Sequence, residues 1–180
     1  MKVNRNGQAE VLSRDRLDYL FSLMSDQYRS LFGICYFTGC RIAEAIQLRR
    51  EDMGENSITF RRKTTKSQKT RSVKINSQLA KILSESDLPE SGYLFPGREE
   101  NQHLTTRAAD LVLRKYCDYL EIKGVSTHSF RRTALTHMSN AGVPLRHIQE
   151  ISGHSSLASL QKYLEVSEEQ KEVAIAVLGF

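Results

Sequence analysis

The sequence predicts a mixed α+β domain that is mainly helical and contains one small antiparallel sheet. Apolar residues recur at helical spacing towards both ends of the chain and alternate only in a short central stretch. The chain has 180 residues, of which 39% are hydrophobic and 26% charged, the size and balance of one globular domain. No apolar run approaches the ~20 residues of a membrane span, so we expect no membrane partner.

Three helices are predicted before the sheet. Ser13 can cap the first one, and the second covers about residues 27–37. Gly39 suits the C-terminal turn of the second helix because glycine readily adopts the left-handed conformation found there. The third helix is expected over 41–48, the segment RIAEAIQL. Residues 1–10, which precede this domain of residues 11–180, read as a polar N-terminal arm.

The central stretch changes period. Residues 57–62 and 71–75 read as two strands on either side of a turn, TTKSQK, and residues 93–95 read as a short third strand. Between them, Asn76 or Ser77 can cap a short helix. A hairpin followed by helices is therefore expected in the middle of the chain.

The second half is predicted to be helical. The expected helices cover about 105–122, 127–142, 144–153, a segment from 155 or 156 that carries Tyr163, and 167–178. Pro144 fits the first position of its helix and Gly153 the end of it. Ser167 and Gln170 form the pattern of a capping box for the last helix, within the C-terminal segment 167–180.

The net charge of +5 comes from one short segment. Residues 61–74, RRKTTKSQKTRSVK, contain seven basic residues and no acidic one, whereas the rest of the chain has 19 basic and 21 acidic residues. Such a patch is typical of a surface that binds a nucleic-acid backbone, although a solvated surface hairpin explains it equally well. The candidate DNA-binding residues of this segment are Arg61, Arg62, Lys63, Lys69, Arg71 and Lys74.

The three cysteines, Cys35, Cys40 and Cys117, form no C-x-x-C pair. An odd count without such a pair predicts free thiols, as in a reducing cytoplasm, and the N-terminus has no signal-peptide pattern. The five histidines do not suggest a zinc site, because His147 and His154 are seven residues apart with a glycine between them. We expect no metal and no cofactor.

Two short motifs carry candidate chemistry. In THSFRRTALTHM, His128 and Arg131 share one face of a predicted helix near its N-terminus, where both could reach one anion. Arg132 then points elsewhere, towards a DNA phosphate or solvent. In TGCRIAEAIQL, Arg41 follows a glycine turn and Glu44 can brace its guanidinium. Taken alone, the first motif is more typical of a solvated helix face and the second of a structural ion pair.

The two arginines together match the two non-bridging oxygens of a phosphodiester, where phosphoryl transfer places negative charge. A tyrosine needs such a site to act as a nucleophile, because its ordinary pKa is about 10. Tyr163, in SGHSSLASLQKYLEV, could be that nucleophile beside His154, or an ordinary packing residue. A lysine of the basic hairpin could protonate a leaving 5′ hydroxyl.

The segments TGCRIAE, TTKSQKTRSV, HSFRRT and SGHSSLASLQKY resemble, in order and in separation, the catalytic domain of the tyrosine recombinase (phage integrase) family. The resemblance covers about residues 11–178 and implies the fold of that catalytic domain. Arg41 and Arg131 resemble the two arginines that clamp the phosphate, and Glu44 the acidic residue that orients Arg41. His128 resembles the histidine that contacts the phosphate and helps to position or deprotonate the tyrosine.

The remaining catalytic positions also match. Lys66 resembles the hairpin lysine that protonates the leaving 5′ oxygen, although Lys63 and Lys69 lie close to it in the same turn. His154 resembles the second histidine, which donates a hydrogen bond to a non-bridging oxygen. Tyr163 resembles the nucleophile that forms a 3′-phosphotyrosine bond.

The resemblance implies a site-specific DNA recombinase or integrase that breaks and rejoins DNA by two transesterifications, without a metal or ATP. Its partner would be double-stranded DNA, with self-association into a tetrameric synapse and no small-molecule substrate. Two alternatives remain open. One is a strand-relaxing activity like that of type IB topoisomerases, and the other is a non-catalytic DNA-binding regulator on the same fold.

Family members usually carry a further N-terminal DNA-binding domain, and we expect none before residue 11. DNA binding is then expected to be weak and strongly salt-dependent, because fewer phosphates are contacted. The apolar run 173–178 should be buried on most sides. It can pack against its own domain or, as the resemblance suggests, against a neighbouring protomer.

Overall fold

The computed structural model describes residues 9–65, 68–161, 163–164 and 168–179. The helices are α1 (Arg14–Leu23), α2 (Asp26–Thr38), α3 (Ile42–Ala45), α4 (Ser77–Ser84), α5 (Thr106–Tyr119), α6 (Thr127–Asn140), α7 (Leu145–Ser152), α8 (Leu157–Gln161) and α9 (Glu168–Ala176). The strands are β1 (Ser57–Phe60) and β2 (Arg71–Lys74), which pair antiparallel. These residues form the mainly helical domain with a small antiparallel sheet that the sequence predicts.

Helix α2 lies at the centre of the core. It packs against α6, α4, α3 and α1. On the α6 side, Phe130 is fully buried and stacks on Phe32 with ring centroids 4.7 Å apart, and on Phe21 of α1 at 5.9 Å. Such ring pairs stabilise a core beyond the area that they bury. The stack therefore fixes α6, which carries the H-x-x-R motif, against α1 and α2.

The hairpin is attached to the core by alternate residues. Ile58 and Phe60 of β1 and Val73 of β2 are buried, while their strand neighbours are more exposed. Phe60 pairs with Arg71 across the sheet, and the Arg71 guanidinium lies 4.4 Å from the centre of the Phe60 ring. The inward faces of the strands thus set the register and hold Arg71 over the core rather than over solvent.

Two glycines end helices immediately before candidate site residues. Gly39 has φ +61° after α2, and Gly153 has φ +68° after α7. Other residues adopt this left-handed conformation only at a cost in energy. At Gly153 an added Cβ would also lie 3.0 Å from Arg71 Nη1. These turns direct the chain back towards the core at Cys40–Arg41 and at His154.

The segment after Arg41 differs from the prediction of a helix over 41–48. Helix α3 has only four residues, because the chain turns away to form long-range backbone contacts. Leu94 N donates to Leu48 O at 2.9 Å, and Arg49 forms an isolated bridge with Tyr93. The third strand predicted over 93–95 is likewise reduced to isolated bridges within the described residues.

The C-terminal helix also differs from expectation. Residues 171–179 are all exposed, and Val173, Ile175, Val177 and Leu178 have 61–78% of their surface accessible. The prediction that this run is buried on most sides is therefore wrong for the single chain. Ser167, half of the predicted capping box, lies outside the described residues. None of the helices in the described ranges combines the length and the apolar composition needed to cross a membrane.

We expect that removing residues 171–180 leaves the domain folded, because the side chains of residues 171–179 bury little surface in the single chain. The free energy of unfolding, measured with urea, should change by less than about 0.5 kcal/mol. The matched control is Leu160→Ala, which truncates a fully buried side chain packed with Leu135 and Ile148 and should cost about 2–5 kcal/mol. A large loss of stability on truncation would instead show that the segment packs against its own domain.

Candidate active site

Glu44 holds two arginines in place. Its carboxylate is 2% exposed and accepts hydrogen bonds from Arg41 Nη1 at 3.1 Å and from Arg71 Nη2 at 2.7 Å. It also caps the start of α3 by accepting from the backbone N of Arg41 at 3.1 Å. Burial raises the pKa of Glu44, but the charge and hydrogen bond of Arg71 lower it by more, so Glu44 is ionised at neutral pH.

Arg131 is as deeply buried as Glu44, with 2% of its surface exposed. Its Nη1 donates to Gly39 O at 2.6 Å and to Ser152 O at 2.9 Å, and its Nη2 lies 3.0 Å from His154 Nε2. Burial lowers the pKa of Arg131 to about 10, and the charge of Arg41 acts in the same direction. Arg131 therefore remains a cation at neutral pH and joins α6 to the ends of α2 and α7.

His154 lies next to this cation and is neutral. It is buried, with Nδ1 2.7 Å from Ser152 Oγ, and its backbone carbonyl accepts from Gln149 Nε2 at 3.1 Å. Burial lowers the pKa of His154 to about 3, and the charges of Arg131 and Arg41 add to this shift. The imidazole is therefore uncharged at neutral pH and can exchange a proton with an approaching group.

Tyr163 lies beside His154. The prediction that it lies on a helix is wrong. Helix α8 ends at Gln161, because Tyr163 N donates to Leu160 O at 2.9 Å and the turn tightens to i−3 bonding. The Tyr163 ring is partly buried, with its centroid 5.4 Å from that of His154 and the two planes at 56°. The tyrosine therefore reaches the site from a turn after the helix.

His128 and Arg131 do not share one environment, although they are three residues apart on α6. His128 is exposed and lines a groove of about 940 Å³ between α5 and the starts of α3 and α6, together with Arg41. Arg131 points into the core instead. Arg41, with 26% of its side chain exposed, is the arginine that both faces this groove and belongs to the buried ion-pair network.

Three of the predicted DNA-binding arginines have partners within the chain, and the expectation that Arg132 points to DNA or solvent is wrong for the single chain. Arg71 is 10% exposed and is held by Glu44 and by the carbonyl of Ile151, to which its Nε donates at 3.1 Å. Arg132 is buried and its Nη1 donates to Ala9 O at 2.9 Å, so it does not point to DNA or solvent. Arg61 is exposed but its charge is paired with Asp52 and Glu51.

The other basic residues of the hairpin keep the expected placement. Arg62, Lys63, Lys69 and Lys74 are exposed. Lys66, the predicted general acid, lies outside the described residues and stays a prediction. Of the residues that the structure describes, no group of three or more His, Cys, Asp or Glu is placed to hold a metal ion.

Sequence reasoning missed basic residues on α5 and after it. Arg107, Arg114 and Lys123 line the same groove as Arg41 and His128. Their charges are interleaved with Asp110 and Asp118, so no basic cluster is visible in the sequence. Helical spacing was the available signal, since Arg107 and Arg114 are seven residues apart and lie on one face of α5.

The comparison with protein families agrees with this geometry. The model of the phage integrase family matches residues 10–170. The chain belongs to this family. A tyrosine recombinase of Pseudothermotoga lettingae is 32% identical over 86% of the chain, and a tyrosine recombinase XerA of Thermococcus onnurineus is 34% identical over 78%. The chain covers 55% and 51% of these two proteins, about half of their length.

The fold is also that of solved structures of integrases and recombinases. The Tn1549 transposon integrase in complex with a circular intermediate DNA superposes with a TM-score of 0.79 at 16% identity, over 96% of this chain and 67% of that one. At this level of identity the likeness shows the shared fold. The tyrosine-recombinase catalytic-domain fold that the sequence motifs imply is therefore confirmed.

We expect Glu44→Gln to destabilise the domain by about 3–5 kcal/mol, because it leaves buried Arg71 without a counter-charge. Urea unfolding measures this loss. The matched control is Glu51→Gln, which removes a carboxylate from the exposed pair with Arg61 and should cost less than about 1 kcal/mol. Equal losses in the two variants would show that the Glu44 network contributes little.

His154 should make the domain sensitive to acid. The unfolded chain protonates this histidine below its ordinary pKa of about 6.5, whereas the folded chain resists protonation down to about pH 3. Stability is therefore lost as the pH falls through this window, by up to about 2 kcal/mol at about pH 5. His154→Gln should lose less unfolding free energy than wild type between about pH 7.5 and about pH 5.

The control for this experiment is His147→Gln, a change of an exposed histidine. It should follow the wild-type dependence on pH. A wild-type slope in His154→Gln as well would contradict a neutral, buried His154.

Proposed function

We propose that this chain is the catalytic domain of a site-specific DNA recombinase or integrase that breaks and rejoins DNA through a covalent 3′-phosphotyrosine. The observation that carries the proposal is the ring of Tyr163 beside neutral His154, which in turn contacts buried Arg131. A DNA-binding protein without catalysis has no need of a tyrosine placed beside such a pair. Membership of the phage integrase family supports the same reaction.

The arginines supply the electrostatic part of the mechanism. Arg41 faces the groove and can donate to a non-bridging oxygen of the scissile phosphate, while Glu44 holds its guanidinium in place. Nη1 of Arg131 already donates to two backbone carbonyls, so a phosphate would have to bind Nη2. Because Nη2 lies beside His154, the phosphate would compete with His154 for it. Fixed cations of this kind stabilise the charge that develops on the phosphate in the transition state.

The proposed chemical steps are those that the family resemblance implies. The phenolic proton of Tyr163 passes to His128 as the Tyr163 oxygen attacks the phosphorus. The bond to the 5′ oxygen breaks, and Lys66 protonates that oxygen. A 5′ hydroxyl of the partner strand then attacks the phosphotyrosine and releases Tyr163. The two transesterifications conserve the number of phosphodiester bonds, so the reaction needs neither ATP nor a metal ion.

The DNA is proposed to follow the groove between α5 and the starts of α3 and α6. Its walls carry Arg41, His128, Arg107, Arg114 and Lys123. The exposed basic residues of the hairpin extend this positive surface. The Tn1549 integrase shares the fold, and its structure was solved in complex with DNA. This supports double-stranded DNA as the partner here.

Self-association on DNA belongs to the same proposal. Helix α9 and the residues that follow it expose Val173, Ile175, Val177 and Leu178, an apolar surface that the single chain leaves open to water. A neighbouring protomer on the DNA is the partner that we propose for it. The cytoplasm, where DNA and reduced thiols coexist, is the proposed location.

The proposal is tested with a pool of nicked suicide duplexes of randomised sequence. Cleavage near the nick releases a short fragment that carries the free 5′ hydroxyl, and its loss traps the covalent intermediate. The wild-type chain should form a protein–DNA adduct that survives denaturant, and Tyr163→Phe should form none. The matched control is Tyr119→Phe, a change of a tyrosine that is 78% exposed on α5, which should behave like wild type. An adduct in Tyr163→Phe would show that another residue is the nucleophile.

The same preparation distinguishes the two alternatives. Relaxation of a supercoiled plasmid without recombinant product would favour an activity like that of type IB topoisomerases. DNA binding without any adduct in the wild type would favour a non-catalytic regulator.

A further inference from the structure

Arg71 lies in the site, although the reaction described above gives it no role. It is the first residue of β2, and its side chain is 10% exposed. The strand register places it opposite Phe60, whose ring centre lies 4.4 Å from the guanidinium. Its Nη2 donates to Glu44 Oε2 at 2.7 Å, and its Nε donates to Ile151 O at 3.1 Å. The hairpin therefore brings a buried cation to the carboxylate that braces Arg41.

The turn after α7 fits closely against this cation. A Cβ added at Gly153 would lie 3.0 Å from Arg71 Nη1 and 3.2 Å from its Cδ and Cζ. The guanidinium fits there because residue 153 has no side chain. Two hydrogen bonds, the ring of Phe60 and this backbone thus fix the plane of the guanidinium, so that Arg71 always presents the same N–H group to Glu44.

The lone pairs of Glu44 show what Arg71 does to the carboxylate. An ionised carboxylate offers about four acceptor positions, two on each oxygen. Oε2 accepts from the backbone N of Arg41 at 3.1 Å and from Arg71 Nη2 at 2.7 Å, which uses both of its positions. Oε1 accepts from Arg41 Nη1 at 3.1 Å. The guanidinium of Arg41 is therefore paired with Glu44 through a single nitrogen.

This single contact leaves the rest of the Arg41 guanidinium available. Within the ranges that the structure describes, Nη1 is the one guanidinium atom of Arg41 with a hydrogen-bond partner, and the side chain is 26% exposed at the groove. Arginine and carboxylate favour a two-point pair with two parallel N–H···O bonds. Without Arg71, Oε2 of Glu44 would have a free lone pair, and Arg41 would turn to form that pair. Its N–H groups would then point at the carboxylate instead of the groove.

We propose that Arg71 is a positioning residue for Arg41: by occupying Oε2 of Glu44, it prevents a two-point Arg41–Glu44 pair and leaves two nitrogens of Arg41 for the phosphate. The nitrogens of Arg71 face Glu44, Ile151 and Gly153, so Arg71 acts through Glu44 and does not touch the phosphate. The inference rests on the proposed function for its effect on catalysis, but not for its effect on the orientation of Arg41.

Crystal structures of the DNA-free protein test the effect on Arg41. In the wild type, Arg41 should contact Glu44 through Nη1 alone among its guanidinium nitrogens. In Arg71→Met, a second guanidinium nitrogen of Arg41 should lie within about 3.2 Å of Oε2. Arg71→Lys should keep the wild-type contact, because its ammonium can still donate to Oε2. A two-point pair in the wild type, or a single contact in Arg71→Met, overturns the proposal.

The kinetic arm uses the suicide substrate. Arg71→Met should form the adduct about 10- to 100-fold more slowly, the range expected for a lost hydrogen bond to a charged group, and Arg71→Lys should stay within about threefold of wild type. A purely structural role predicts equal losses in the two variants, because lysine lacks the Nε–H that donates to Ile151 O just as methionine does. Equal losses would therefore overturn the proposal.

Urea unfolding first shows which variants fold. If Arg71→Met does not fold, Arg71→Lys still decides: a two-point Arg41–Glu44 pair in that variant, or an adduct rate about tenfold or more below wild type, overturns the proposal. The matched control is Arg29→Met, which removes an arginine that pairs with Asp26 at the start of α2. It should keep the wild-type contact of Arg41 and the wild-type rate.

The two proposals fail separately. If wild-type protein forms no adduct, the proposed function fails, and the crystal structures alone decide whether Arg71 orients Arg41. If the adduct forms and Arg71→Met forms it at the wild-type rate, the role of Arg71 fails and the recombinase assignment remains.

Discussion

The buried guanidinium of Arg131 is the interaction on which the rest of the site depends. It joins three segments that are distant in sequence, because it donates to Gly39 O after α2 and to Ser152 O at the end of α7, while its own backbone belongs to α6. Burying a cation is costly unless its N–H groups are satisfied. The two left-handed glycine turns, at Gly39 and Gly153, expose two backbone carbonyls that accept from Nη1 and meet part of this need. The turns, the helix ends and the cation therefore form one unit.

The charge balance of this unit favours an anionic ligand. Arg41, Arg71 and Arg131 lie close together, and Glu44 is the carboxylate that pairs directly with two of them. His154 adds no charge of its own, because burial and the neighbouring arginines keep it neutral. An excess of fixed positive charge in a partly enclosed site is the arrangement that a phosphodiester requires, and it is built before any DNA is present. The neutral histidine can then gain a proton when a phosphate brings negative charge.

Tyr163, the proposed nucleophile, and the C-terminal helix are attached less firmly than this unit. Tyr163 contacts a small cluster of Leu135, Ile148 and Leu160, separate from the main core around α2. Beyond it, α9 exposes its apolar residues.

Local signals were sufficient for much of the fold and for the family. Caps such as Ser13, Asn76 and Thr105, together with helical and alternating spacing, predicted the helices and the hairpin, because these features depend on near neighbours in the chain. The motifs around Arg41, Arg131 and Tyr163 predicted the family.

Only the tertiary structure decided where each charge points. Arg71 and Arg132 look like surface cations in the sequence, yet contacts with residues far along the chain bury them. In the same way, the pairing of Leu48 with Leu94 shortens α3, and a turn after α8 carries Tyr163. Sequence specifies that a residue is charged or apolar, but burial and pairing depend on what the folded chain brings beside it.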